Sequence, residues 1–168
     1  TDLCMAIVTD PFRPACLKLV EMMMTAATEL GPVALRSFVQ HATTHENSRY
    51  FSETLLRTMN EVDLDSDAGL PVGYRPAVTV LGFMHAIPGS ANFLFPADQR
   101  ILIDVLLRHM AAIPLLPDAN HPETELDDTW LAWIATVAGI CSNSSQYNEG
   151  GLHKGQDILS ALKTLRDD

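Results

Sequence analysis
Apolar residues recur along this chain at three- and four-residue steps, prolines and glycines interrupt them every 15 to 25 residues or about that, and strict alternation is almost absent. The pattern predicts an all-helical chain. A first helix is expected over Asp2 to Asp10, stopped by Pro11, and a second from Ala15 to Leu30, ended by Gly31-Pro32, a glycine-then-proline stop. The third begins at Pro32, carries Val33, Leu35, Phe38 and Val39, and frays near Thr43-Thr44. A fourth, from about Asn47 to Val62, brings Tyr50, Phe51, Leu55, Met59 and Val62 into register, with Asn47 or Ser48 placed to cap its first amides. Pro76 opens a fifth helix with Val78, Val80, Leu81 and Met84, which ends around Ile87-Pro88-Gly89.

The sixth is the most informative stretch. Phe93-Leu94-Phe95 feeds Pro96, whose missing N–H costs nothing in a first helical turn, and Ile101, Leu102, Val105, Leu106 and Met110 then form one wide apolar stripe. Arg100, Asp104 and Arg108 follow each other at four-residue steps, so charges of alternating sign line another face. Such a row is either a set of intrahelical ion pairs, worth a few tenths of a kcal/mol each, or a patch that meets another protein. It is the candidate partner-binding site. Pro114 and Pro117 close this helix; a long connection, Leu115 to Thr124, precedes a seventh helix with Leu126, Trp130, Trp133, Ile134 and Val137, and an eighth runs from Lys154 to about Leu165.

Antiparallel helices joined in this way make an α-solenoid or an irregular bundle, and spacing near 40 residues per unit is that of armadillo- or HEAT-like packing. The expected architecture is therefore an armadillo/HEAT-like α-solenoid of about eight helices, forming a single domain over residues 1–168. At this length about two thirds of the unfolded chain's surface is buried on folding, so neither disulfide nor metal is needed for stability. The chain opens inside an apolar helical pattern without an initiator methionine, which suggests a fragment of a longer polypeptide.

Charge narrows the choice of partners. The 168 residues carry a formal net charge of −10, much of it in Glu61, Asp63, Asp65 and Asp67 and in Asp118, Glu123, Glu125, Asp127 and Asp128. Phosphate backbones would be repelled, which argues against nucleic-acid binding. Apolar runs are cut short by charges or prolines before reaching the length of a membrane span, so no membrane insertion is expected. Cys4, Cys16 and Cys141 are odd in number, widely spaced and set in apolar helical contexts, as are small buried hydrophobes of a reducing compartment. A cytoplasmic location is the reading.

Candidate chemistry is sparse. His41 and His45 sit four apart, a metal-holding geometry, but Ala42 stands where the zinc-protease pattern requires glutamate. The run from Asp63 to Gly69 begins like a calcium loop, yet its glycine is displaced by one place and Tyr74 stands where a bidentate glutamate belongs. Cys141 with His109 and His153 form at most an imagined thiol site, and no phosphate loop, dinucleotide fingerprint or nucleophile elbow is present. Met22-Met23-Met24 reads as core filling, and Asn143-Ser144-Ser145 as a chance glycosylation triplet. No catalytic residue, cofactor or metal ligand is assigned.

From Met59 onward the chain resembles the C-terminal helical domain of the WISH/DIP/SPIN family of actin regulators, fungal members included. The segments that carry the resemblance are Leu55-Leu56-Arg57-Thr58-Met59-Asn60, Val80-Leu81-Gly82-Phe83-Met84, Phe93-Leu94-Phe95 leading through Asp98 into Ile101-Leu102-Ile103-Asp104-Val105-Leu106-Leu107-Arg108, and His153-Lys154 with Asp157-Ile158-Leu159. Residues 1–50 do not align with it. The resemblance implies an armadillo-like domain, not an enzyme, that binds the actin-related protein 2/3 complex and activates it without a preformed filament. It would seed linear filaments at the cortical actin cytoskeleton, in processes such as endocytosis, meeting the filament end only indirectly. Two alternatives remain: a general α-helical scaffold with no direct effect on actin, and a helical hydrolase with an unrecognised site.

Overall fold
The computed structural model describes residues 13–46, 48–62, 70, 73–90, 93–112, 123–149, 151 and 153–167. The described chain is all-helical: α1 (Arg13–Glu29), α2 (Pro32–Thr44), α3 (Ser48–Asn60), α4 (Tyr74–Ala86), α5 (Pro96–Ala112), α6 (Glu123–Asn143), α7 (Ser145–Glu149) and α8 (Gly155–Asp167), with no strand among the described residues. The helix expected over Asp2 to Asp10, Cys4, and the calcium-like run from Asp63 to Gly69 lie outside the described residues, as does most of the Leu115–Thr124 connection.

Local signals set most of the boundaries. Gly31 takes φ 109°, a left-handed value that glycine adopts without strain, and Pro32 opens α2 directly after it. α4 starts at Tyr74, two residues ahead of Pro76, because Gly73 makes the turn at φ 97° and a proline fits anywhere in a first turn. α6 continues to Asn143, well past Val137, since Ile140 extends the same buried stripe. The five-residue α7 gives no periodic signal in the sequence. Ser144 caps it, its Oγ accepting the Tyr147 backbone N–H at 3.1 Å.

The core gathers around α4. This helix packs most extensively against α6 and also against α1 and α3, while α5 is held by α3, α6, α7 and α8. Tyr74, Ala77, Val78, Val80, Leu81 and Met84 of α4 are fully buried, together with Leu17 and Met24 of α1, Leu55 and Met59 of α3, and Trp133 and Ile140 of α6. Each such large aliphatic side chain contributes about 1.5–3 kcal/mol relative to exposure. Gly139 permits the close contact of α6 with α4: a Cβ there would lie 2.7 Å from His85 Cβ.

Two expectations about faces need correction. Ile101 is not part of the buried stripe of α5; it is 48% exposed, and Ile103, Gln99 and His109 are buried instead. The buried side of α5 is displaced because α3, α6 and α8 surround it from more than one direction. In the methionine run only Met24 is core, whereas Met22 and Met23 are 58% and 41% exposed. Three consecutive helical residues spread over too wide an arc to share one buried face.

Candidate functional site
Arg100, Asp104 and Arg108 are all exposed on α5. Their predicted ladder of intrahelical pairs does not form. Asp104 Oδ1 is 2.9 Å from His153 Nε2, in the turn before α8, and Arg108 donates from its guanidinium to Asn60 Oδ1 of α3 at 3.2 Å. Among the described residues Arg100 has no carboxylate partner. His153 is positioned from behind by the short hydrogen bond of Tyr147 Oη–H to its carbonyl oxygen. Lys154, next in the chain, stands at φ 60°, a left-handed backbone rare for a side-chain-bearing residue, and its carbonyl accepts the Ile158 N–H as α8 begins.

Segments far apart in sequence thus meet on one surface. The end of α3, the exposed side of α5 and the turn into α8 are joined by the Asn60–Arg108 and Asp104–His153 contacts, 48 and 49 residues apart. Arg57 lies one turn before Asn60 and is also exposed. Periodicity alone does not reveal Arg57, Asn60 and His153 as neighbours of the row, because nothing local in the sequence couples them. Their segments are nonetheless among those that carry the family resemblance.

Beneath this surface runs a buried polar network. Trp133 Nε1–H donates to Tyr74 Oη at 2.9 Å, and Tyr74 Oη lies 2.5 Å from His109 Nδ1. Since Tyr74 oxygen already accepts from Trp133, its own proton goes to His109 Nδ1, which fixes the histidine proton on Nε2. All three residues are inaccessible to solvent. Burial pushes the His109 imidazole down to about 4, with adjacent Arg108 adding to the effect, and raises the Tyr74 phenol well above its usual range. Gln99 and Ser144 form a second buried pair, with Ser144 Oγ–H donating to Gln99 Oε1 at 2.7 Å. These networks tie α4, α5 and α6 together and offer no accessible atom to a substrate in this conformation.

The remaining sequence candidates fall in separate places. The His41 and His45 rings are 5.8 Å apart, and among the described residues no three His, Cys, Asp or Glu side chains cluster as metal ligands would. The imagined thiol set is not assembled: His109 is engaged by Tyr74 and His153 by Asp104, and no described contact brings Cys141 to either. Cys16 and Cys141 are half-buried free thiols rather than fully buried ones, and burial raises the Cys141 thiol. Asn143 directs its side chain inward, donating to the His85 carbonyl at 2.8 Å. Among the described residues no helix is long and apolar enough to cross a membrane.

No protein-family model, no curated protein sequence and no solved structure matches this chain.

Proposed function
We propose that this chain is a non-enzymatic protein-binding module that activates the actin-related protein 2/3 complex without a preformed filament, seeding linear actin filaments at the cell cortex. An armadillo-like arrangement of its helices is part of that reading. The observation that supports it best is the meeting of three resemblance-bearing segments, around Asn60, Arg108 and His153, on one exposed surface. A surface assembled from distant segments and backed by a rigid core suits recognition, since little side-chain freedom has to be lost on binding. Activation then consists of binding the active arrangement of the complex more tightly than the inactive one.

Pyrene-actin polymerisation tests the reading. Purified chain with the complex is expected to accelerate assembly, to have no effect on actin alone, and to give linear filaments under the microscope. Arg100→Glu with Arg108→Glu is expected to weaken activation without lowering thermal stability, because both side chains are exposed. An inactive complex at saturating concentrations of the chain overturns the proposal.

The scaffold alternative has one observation in its favour. Leu19, Met22, Met23, Ala26 and Leu30 recur at helical steps on the exposed side of α1 and the residues after it, away from the charged row. On that reading, Met22→Glu with Met23→Glu abolishes capture of partners from extract while pyrene-actin curves are flat for every variant.

A further inference from the structure
The chain carries 21 acidic and 11 basic residues, yet the surface around Arg108 is locally cationic, and the ion-pair pattern explains why. Three carboxylates lie near it, and each is already engaged. Glu53 accepts Arg49 at 2.9 Å, Glu61 accepts Arg13 at 2.9 Å, and Asp104 faces His153 at 2.9 Å. Asp98 is two residues from Arg100, a spacing that puts the two on different sides of α5. Arg108 is held by a neutral acceptor, Asn60 Oδ1, so its position is fixed while its charge is not cancelled. Arg57 and Arg100 are exposed and, among the described residues, have no carboxylate partner.

We infer that Arg57, Arg100 and Arg108 form a docking surface for an acidic segment of a partner protein. The inference rests on the reading of this chain as a protein-binding module and adds the chemistry of what is bound. Guanidinium forks match carboxylates two bonds at a time, which favours this ligand class over a lysine-type point-charge contact. Arg100 and Arg108 are eight residues apart along α5, about 12 Å at ~1.5 Å per residue. An extended peptide covers that span in about four residues, and residues four apart in an extended chain share a face. The segment is therefore expected to place carboxylates at every fourth, or every second, position, with an apolar residue over exposed Ile101. Because exposed ion pairs are individually weak, the affinity comes from the three arginines together.

Fluorescence anisotropy with a labelled alternating Glu-Ser peptide, and with its Gln-Ser and Lys-Ser counterparts, tests the inference. The wild-type chain is expected to bind the Glu-Ser peptide at least about tenfold more tightly than either counterpart, and to lose that preference as salt is raised. The combined variant Arg57→Glu, Arg100→Glu, Arg108→Glu is expected to lose about tenfold in affinity with an unchanged circular-dichroism melting curve. Should that variant fail to fold, Arg100→Glu alone is expected to weaken binding about threefold, since no fold contact depends on it. Equal affinity for the three peptides, or undiminished binding by the variants, overturns the inference. So does a wild type that binds nothing until Asp63, Asp65 and Asp67 are changed to Asn, which assigns the surface to the chain's own acidic loop. Concentration-dependent sedimentation abolished by the arginine reversals assigns it to a second copy and likewise overturns it. Accelerated actin assembly without peptide binding sinks this inference and leaves the functional proposal standing; peptide binding without acceleration does the reverse.

Discussion
Gly139 of α6 and His85 of α4 touch so closely that a Cβ on the glycine would fall 2.7 Å from the histidine Cβ and 2.8 Å from its carbonyl carbon and oxygen. Backbone atoms cannot rotate aside as a side-chain tip can, so Gly139→Ala has to push the two helices apart. The expected cost is about 1–3 kcal/mol, in spite of alanine's better helix propensity, and melting is expected to fall by several degrees. Gly82→Ala is the control, because its nearest neighbour is Thr136 Oγ1 at an ordinary 3.5 Å. That variant is expected to be neutral or stabilising by up to about 1 kcal/mol. Equal melting temperatures for the two variants would count against a tight α4–α6 contact.

Tyr74→Phe removes one hydroxyl and strands two nitrogens. Trp133 Nε1–H loses its acceptor and His109 Nδ1 its donor, both in a region closed to solvent. The loss is expected to be about 2–4 kcal/mol, well above that of an ordinary surface hydrogen bond. Urea unfolding of the variant beside Tyr50→Phe, an exposed tyrosine, measures it; similar midpoints would refute the network's role.

Acid is expected to weaken the fold through its two buried histidines. His85 donates from Nδ1 to the Leu81 carbonyl at 2.8 Å, and burial, only partly offset by that bond, pushes its imidazole to about 4; His109 is likewise near 4. An exposed histidine of the unfolded chain titrates near 6.5. Between those values the unfolded chain binds more protons than the folded one, so stability rises with pH there. It is complete above about 6.5 and is lost as pH falls toward about 4. Each histidine contributes at most about 1.4 kcal/mol per pH unit in that window. Unfolding free energies of wild type and His109→Gln at pH ~7, ~6 and ~5 are expected to converge as the solution is acidified. Parallel profiles would show that His109 is not held neutral.

Ser144 does two jobs at the α6–α7 junction, donating to buried Gln99 Oε1 at 2.7 Å and accepting the Tyr147 N–H at 3.1 Å. Ser144→Ala removes both and is expected to cost about 1–3 kcal/mol, whereas Ser144→Asn keeps a capping group but overfills a fully buried position. Hydrogen exchange at the Tyr147 amide is the direct readout. Unchanged protection in Ser144→Ala would mean that α7 does not depend on its cap.

The helices themselves are local objects, and the chain spells most of them out. Gly31-Pro32 ends one helix and starts the next, Pro96 opens α5, and the three-to-four-residue apolar rhythm marks α3, α4 and α6, because each signal acts within a turn or two of backbone. Which helices touch is a different kind of fact. The pairing of α4 with α6, the glycine contact at His85, the Tyr74–His109–Trp133 network across separations of 35 and 59 residues, and the turning of Asp104 toward His153 all depend on side chains with no sequence relationship to one another. Alternating charges four residues apart foretell an intrahelical ladder, and that rule holds only while no third group comes near. Packing brought His153 and Asn60 alongside α5, and those contacts turned a self-paired row into a locally cationic surface.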